Sequence, residues 1–396
     1  MTNRNARDTR LPFLLVAFAF LIAMLGTTLP TPLYPLYQQR LGLSELMITV
    51  IFAAYAVGVI GALLTMGSWS DQLGRKRMLL AGLALSAASA AVFLTSHSLT
   101  TLLLGRVLSG LSAGIFTGTA TVAVVELAPK AWQGAATLIA TAVNMVGLGL
   151  GPLTAGVLAE YAPWPVRLPF AVDLALIAAA ALGVWFTPET VERPDKPRLR
   201  LQRLSVPPEV RGVFIPAAIA GFAGFAVLGF FTATAPAFVG RVLHHANSAL
   251  IGLVVLILFV ASALGQRIQS SLGEPKRMPL GCAALAAGVA LIGVSIMLAS
   301  LPLLMLGAVI AGLGQGVTFR AGMGAITMAS PAERRAEVAS TFFVVLYVAI
   351  SLPVVGIGVA ADLIGLRSAG AIFAALVAVL ALVALGLLRR RQGKAS

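Results

Sequence analysis

Apolar runs of roughly twenty residues recur twelve times along this chain, and a run of that length satisfies its own backbone only by crossing hydrocarbon as a helix. They fall near 11–33, 44–66, 78–96, 100–125, 135–160, 165–186, 212–238, 248–266, 278–299, 302–327, 336–361 and 368–388. The runs are continuous rather than alternating ten-residue segments, which excludes a barrel. Only 11% of the residues are charged, against roughly 25% in a soluble domain. The expected fold is therefore an all-α membrane protein of twelve transmembrane helices in two six-helix, pseudo-symmetric halves.

The net charge of +14 would suit a nucleic-acid binder, but its distribution argues otherwise. With the first residue placed inside, 22 of the 28 Lys and Arg fall on one face. They include Arg4, Arg7, the Arg75-Lys76-Arg77 cluster, Arg193, Lys196, Arg198, Arg200, Arg391 and Lys394. The opposite face carries Arg40, Arg167, Arg241 and Arg367. Cytoplasmic loops retain basic residues, so both termini are expected in the cytoplasm, with anionic lipids rather than nucleic acid as partners. The first run is too long for a signal peptide, and Leu29-Pro30-Thr31-Pro32 offers no cleavage site. The lone Cys282 has no partner for an intrachain disulfide and reads as a packing residue. His97, His244 and His245 make no metal cluster, and no nucleotide-binding loop or Ser/His/Asp set is evident. No cofactor, no metal and no enzymatic activity are expected.

A short charged loop appears twice. Gly67-Ser68-Trp69-Ser70-Asp71-Gln72-Leu73-Gly74-Arg75-Lys76-Arg77 lies between the second and third runs. A weaker copy runs from Gly265 through Leu272-Gly273-Glu274-Pro275-Lys276-Arg277. At an offset of 202 residues, Leu104-Gly105-Arg106 aligns with Leu306-Gly307-Ala308, Pro129 with Pro331, and Gly156-Val157-Leu158-Ala159-Glu160 with Gly358-Val359-Ala360-Ala361-Asp362. The chain thus reads as a six-helix half at 1–186, a linker at 187–211 and a second half at 212–396. Pro188, Pro194, Pro197, Pro207 and Pro208 make the linker semi-extended.

The first loop closely resembles the signature between the second and third helices of the major facilitator superfamily. That resemblance implies transport, with the substrate site near mid-membrane between the halves. It assigns a gating role to Gly67, Asp71, Gly74, Arg75, Arg77 and Glu126. The acid is expected to face the start of the eleventh helix, near 336–340, whose N-terminal dipole favours a carboxylate. The basic residues are expected to meet Glu126 at the end of the fourth. The second copy carries Gln269-Ser270-Ser271 where the acid should be, so the gate is expected to be asymmetric. Pro188-Glu189-Thr190 resembles a short motif that ends the sixth helix in the superfamily.

Arg106 resembles the family's buried helix-four arginine, a position linked to proton coupling. Snorkelling to the membrane surface is the alternative at its depth. In the fifth run, Gly147, Gly151, Pro152 and Gly156 resemble the antiporter motif of the exporters, a flat face for close packing with a proline kink. Asp173 is the one carboxylate near mid-membrane and a candidate proton carrier, acting through Arg106 if the fourth and sixth helices bring the two together. Arg320, Gln315, Asn144, Tyr55 and Tyr347 are candidate cavity residues. Glu160 and Asp362 stand at matching helix ends, where the dipole disfavours acids, so pairing with Arg167 and Arg367 is expected.

The reading that follows is a monomeric, proton-coupled transporter of the bacterial inner membrane, exporting a small organic molecule. The alternatives are a proton symporter or uniporter importing a small organic anion and, further off, a non-transporting sensor.

Overall fold

A computed structural model describes residues 10–67, 69–192, 194 and 201–395, with side chains described as far as residue 390. Arg4, Arg7, Ser68, Arg193, Lys196, Arg198, Arg200 and the side chains of Arg391 and Lys394 lie outside the described residues. Among the described residues there is no strand. Among the same residues, twelve helices are long and apolar enough to cross a membrane. They are α1 (Arg10–Thr28), α2 (Glu45–Met66), α3 (Arg75–Leu94), α4 (Leu99–Leu127), α5 (Ala136–Tyr161) and α6 (Leu168–Trp185). After the linker come α7 (Pro208–Ala233), α8 (Ser248–Ile268), α9 (Glu274–Leu298), α10 (Leu301–Ala329), α11 (Arg335–Ile364) and α12 (Leu366–Ala395).

Local chemistry sets several of these ends. Ser44 accepts the Met47 N–H at 3.3 Å to start α2, and Asn247 accepts the Leu250 N–H at 2.8 Å to start α8. Ser98 and Thr101 form a reciprocal capping box at the start of α4. Gly74, at φ +99°, turns the chain from the short helix Trp69–Leu73 into α3, a conformation other residues enter only with strain. Two boundaries correct the sequence reading. The Arg75-Lys76-Arg77 cluster opens α3 instead of lying in a loop. And α1 stops at Thr28, because Pro30 and Pro32 remove the donors that would continue it; the chain goes on as a tight turn, Thr31–Leu33, and a short helix, Tyr34–Leu41.

The packing repeats. Helix α4 packs on α2, α3 and α1, while α6 packs on α3 and α1, and α5 on α1. Helices α10, α12 and α11 repeat those pairings with α8, α9 and α7. Two seams join the sets, α5 on α8 and α2 on α11. With an even number of crossings, the first and last helices meet the same face, here called proximal; the opposite face is distal. The sets meet at their distal ends, where Gly156 lies against Ser248 and Ala249, and Gly358 against Leu46 and Thr49. At the proximal ends, linker residues reach α2 and α11: the Gln202 N–H donates to Leu64 O at 2.7 Å, and the Ser205 N–H to Thr341 Oγ1 at 2.9 Å. Exposed Leu182, Leu298, Leu363 and Leu376 make the outer surface apolar, as contact with lipid requires.

Candidate functional site

Where the two sets face each other at mid-helix, seven rings gather around a small cavity: Phe52 and Tyr55 from α2, Phe225, Phe259, Phe319, Phe343 and Tyr347 from the second set. Tyr55 and Tyr347 meet edge to face across the seam, with centroids 6.3 Å apart. The polar lining is sparse: Thr27, Thr28, Thr117, Asn144, Thr232 and one charged side chain, Arg106. The cavity measures about 60 Å³, room for a few waters and well short of the ~300–1,000 Å³ of a typical ligand pocket.

Arg106 is 2% exposed, which excludes snorkelling. Its place follows from the break in α1. The Thr27 carbonyl lies in the last turn of that helix, where carbonyls have no intrahelical donor and the dipole is negative. The Arg106 guanidinium donates to it at 2.6 Å. The same group lies 4.6 Å from the Tyr55 ring centroid and 5.4 Å from that of Phe52. Two rings and a carbonyl offset much of the cost of an intramembrane cation. Its Nε is buried without a partner.

Asp173 is also 2% exposed, but it does not line the cavity. A methyl group placed on Gly26 would lie 2.9 Å from Asp173 Oδ2, so the carboxyl packs on α1 one residue before Thr27. Its Oδ1 has no hydrogen-bond partner. Helix α6 packs on α1 and α3, so the last turn of α1 stands between Asp173 and Arg106. Among the described residues no cation pairs with this carboxyl, and a carboxylate buried without one is costly.

The other cavity candidates divide. Tyr55, Tyr347 and Asn144 line it, and Arg320 and Gln315 do not. Phe319 takes the cavity-facing position on α10, and at about 100° per residue Arg320 is turned aside, half-buried. Gln315 Oε1 accepts from the Ser262 hydroxyl at 2.5 Å and the side chain packs under Gly224, while its Nε2 is buried without a hydrogen-bond partner.

In α5 the glycines serve two neighbours. Gly147 and Gly151 lie on α1, against Leu21 and Leu25, while Gly156 lies on α8. Pro152 removes the donor that would reach the Leu148 carbonyl, and the Thr28 hydroxyl donates there instead, at 2.8 Å. Sequence reasoning missed Thr28; its signal was a threonine at the end of one helix opposite a proline in another.

The first loop forms a charge network on the proximal face. Arg75 pairs with Asp71 at 2.5 Å and with Glu126 at 3.3 Å, and also donates to Ser70 Oγ at 2.6 Å. Glu189 accepts the Arg75 N–H at 2.7 Å, capping α3, and the Thr190 hydroxyl donates to Glu126 at 2.5 Å. The Pro188-Glu189-Thr190 segment is thus part of the network, beyond its expected role as a helix terminator. Gly67 closes α2 beside linker residue Gln202, whereas Arg77 is exposed and has no described ion pair. Asp71 makes its ion pair within its own half, not with the start of α11. With the sets joined distally, linker residue Ser205 reaches proximal α11. In the second loop Arg267 donates to Ser270 and Arg277 to the Leu272 carbonyl, with no carboxylate in either bond. Asp71→Asn is accordingly expected to slow transport several-fold more than neutralising Arg267, Glu274 or Lys276; equal losses at matched membrane expression, in a vesicle transport assay, would show the two loops to be equivalent.

Twelve apolar helices of crossing length, with seven rings gathered around a small cavity between the two sets, define a polytopic membrane protein. The chain belongs to the Major Facilitator Superfamily, whose family model matches residues 16–298. Its apolar helices make it a multi-pass membrane protein. The "Putative multidrug resistance protein MdtD" of Salmonella newport (strain SL254) is 28% identical over 185 residues, 47% of this chain. Its counterpart in Salmonella typhimurium (strain LT2) is 28% identical over 174 residues, 44% of this chain. The matched stretches span only 39% and 37% of those relatives. Among solved structures, a bacterial homolog of the human lysosomal transporter Spinster, in an inward-facing and unoccupied conformation, superposes with a TM-score of 0.77 at 15% identity, covering 98% of this chain and 99% of that one. The human organic anion transporter MFSD10 (TETRAN) gives 0.67 at 18% identity, covering 96% and 99%. At such identities these structures establish the fold.

Proposed function

We propose that this protein exports a small aromatic organic molecule, neutral or anionic, in exchange for protons by alternating access, as a monomer with its proximal face in the cytoplasm. The observation that carries this reading is Arg106, a buried cation and, among the described residues, the one charged group lining a ring-walled cavity between the halves. Rings favour a planar apolar cargo, and one guanidinium disfavours organic cations. The close approach of α5 to α8 at Gly156 supports the exporter branch, since a tight seam there resists leak. The partial similarity to a drug-resistance protein points the same way. The basic proximal cluster of Arg75, Lys76, Arg77, Arg267 and Arg277 supports the orientation. Arg106 also favours a second reading, proton-coupled import of an organic anion. Counterflow in proteoliposomes under an imposed pH gradient, with a mixed panel of metabolites and drugs, separates the two: export requires uptake into inside-acid, inside-out vesicles, and import requires the reverse gradient.

Within this reading Asp173 carries the proton, and the last turn of α1 connects it to Arg106, through Gly26 on one side and the Thr27 carbonyl on the other. The two loop clusters divide unequally, with Asp71, Arg75 and Glu126 closing the cytoplasmic side when the halves rock. Asp173→Asn is expected to flatten the pH profile of transport and to abolish uphill movement while preserving downhill counterflow. An unchanged profile with retained accumulation removes Asp173 from the mechanism.

A further inference from the structure

The repeat around Gly156 and Gly358 has no part in the coupling just described, and both copies lie at the distal seams. Glu160, near the end of α5, accepts the N–H of Ser248 at 2.8 Å, at the start of α8. Asp362, near the end of α11, accepts the N–H of Glu45 at 3.2 Å and that of Leu46 at 3.4 Å, at the start of α2. Glu160 and Asp362 are 202 residues apart, as are Leu46 and Ser248, so one contact is made twice in symmetry-related form. Each carboxylate follows by one helical turn the glycine that lets the partner backbone in; a methyl group on Gly156 would lie 3.1 Å from Ala249 Cα, and one on Gly358 2.9 Å from Leu46 Cα. The expected pairing with Arg167 and Arg367 is not made; Arg367 donates to the Ile296 carbonyl at 3.1 Å.

We infer that Glu160 and Asp362 are a paired clasp that holds the distal face shut, and so are gating residues of the transport cycle. An acid at the C-terminal end of its own helix is disfavoured by that helix's dipole. Here each is compensated by the unpaired N–H groups and positive dipole end of a helix from the other half. That compensation exists only while the halves meet distally, so the stabilisation belongs to one state of the cycle and not to the fold as such. A third contact reinforces the α2 side, where Arg241 donates to Gln38 at 2.8 Å and pairs with Glu45.

The inference rests on the alternating-access part of the proposed function, and its test reads conformation rather than cargo. Thr49 is buried under Gly358 at the α2–α11 seam. In a Cys282→Ser background, Thr49→Cys in proteoliposomes is labelled with an impermeant maleimide from the distal side. Glu160→Ala with Asp362→Ala is expected to raise the labelling rate roughly tenfold, the scale of two such dipole and charge-assisted contacts. The amide pair, Glu160→Gln with Asp362→Asn, keeps the acceptors but not the charge and is expected to fall in between. The exchange pair, Glu160→Asp with Asp362→Glu, is expected to match the parent. Unchanged labelling in the amide pair and in whichever alanine variant inserts would overturn the clasp. A parent whose labelling never responds to a transported substrate counts against alternating access instead.

Discussion

Arg106→Ala is expected to abolish gradient-driven accumulation while leaving a protein that inserts and purifies like the parent. The repeat partner of this position is Ala308, buried at the equivalent place in α10, so the scaffold accommodates a small apolar residue there. What is lost is specific: a charge-assisted bond to the Thr27 carbonyl and the cation over two rings. A bond of that kind is worth ~1.5–3 kcal/mol, so initial uphill rates should fall by at least about tenfold. Arg106→Lys is expected to rescue poorly, because a point charge on a flexible stem cannot hold the carbonyl and the ring faces at once. The measurement is accumulation against an imposed pH gradient beside substrate counterflow without one. Retained accumulation in the alanine variant would reduce Arg106 to a packing residue.

The second large effect is steric. Gly156→Leu places a side chain where the backbone of Ser248 and Ala249 already lies, and neither can retreat without opening the α5–α8 seam. Net transport should fall to background, and distal labelling at Thr49→Cys should rise, because closure on that face can no longer complete. Gly386→Leu is the control: nothing lies within 4 Å of its added carbon, and an exposed helical glycine is replaced by a better helix former. Normal transport in Gly156→Leu would mean that the seam is not a moving contact. An equal loss in Gly386→Leu would mean that bulk alone is harmful.

The span positions were legible in the sequence from uninterrupted apolar length, and the Arg75–Glu126 pair from the first loop's resemblance to the superfamily signature. Arg106 was legible as a candidate, but its choice between surface and cavity depended on the break after Thr28, which an α1 drawn to residue 33 conceals. Arg320 and Gln315 were misplaced for a more general reason. In a soluble helix, polarity marks the face turned to water; here lipid is as apolar as the packed interior, so a helix such as α10 carries little pattern to orient it. Which side of α10 meets α8, and which meets the cavity, is decided by where small residues let backbones approach, and that is a property of pairs of helices. The partners of Glu160 and Asp362 were hidden for a related reason. A side-chain search looks for arginines, whereas these acids are met by backbone N–H groups that every residue possesses.

The bond from Thr28 to the Leu148 carbonyl has a mechanical consequence. Pro152 leaves a rung missing from α5, and the replacement is supplied by α1 rather than by α5 itself. A change in the bend of α5 must therefore break that rung or drag the end of α1 along. The residue next to Thr28 is Thr27, from which the Arg106 guanidinium hangs, and the one before it is Gly26, against which Asp173 rests. Helix α5 touches the opposite half through Gly156, so α1 and α5 form a geared pair, with one tooth in the seam between the halves and the other at the charge in the cavity.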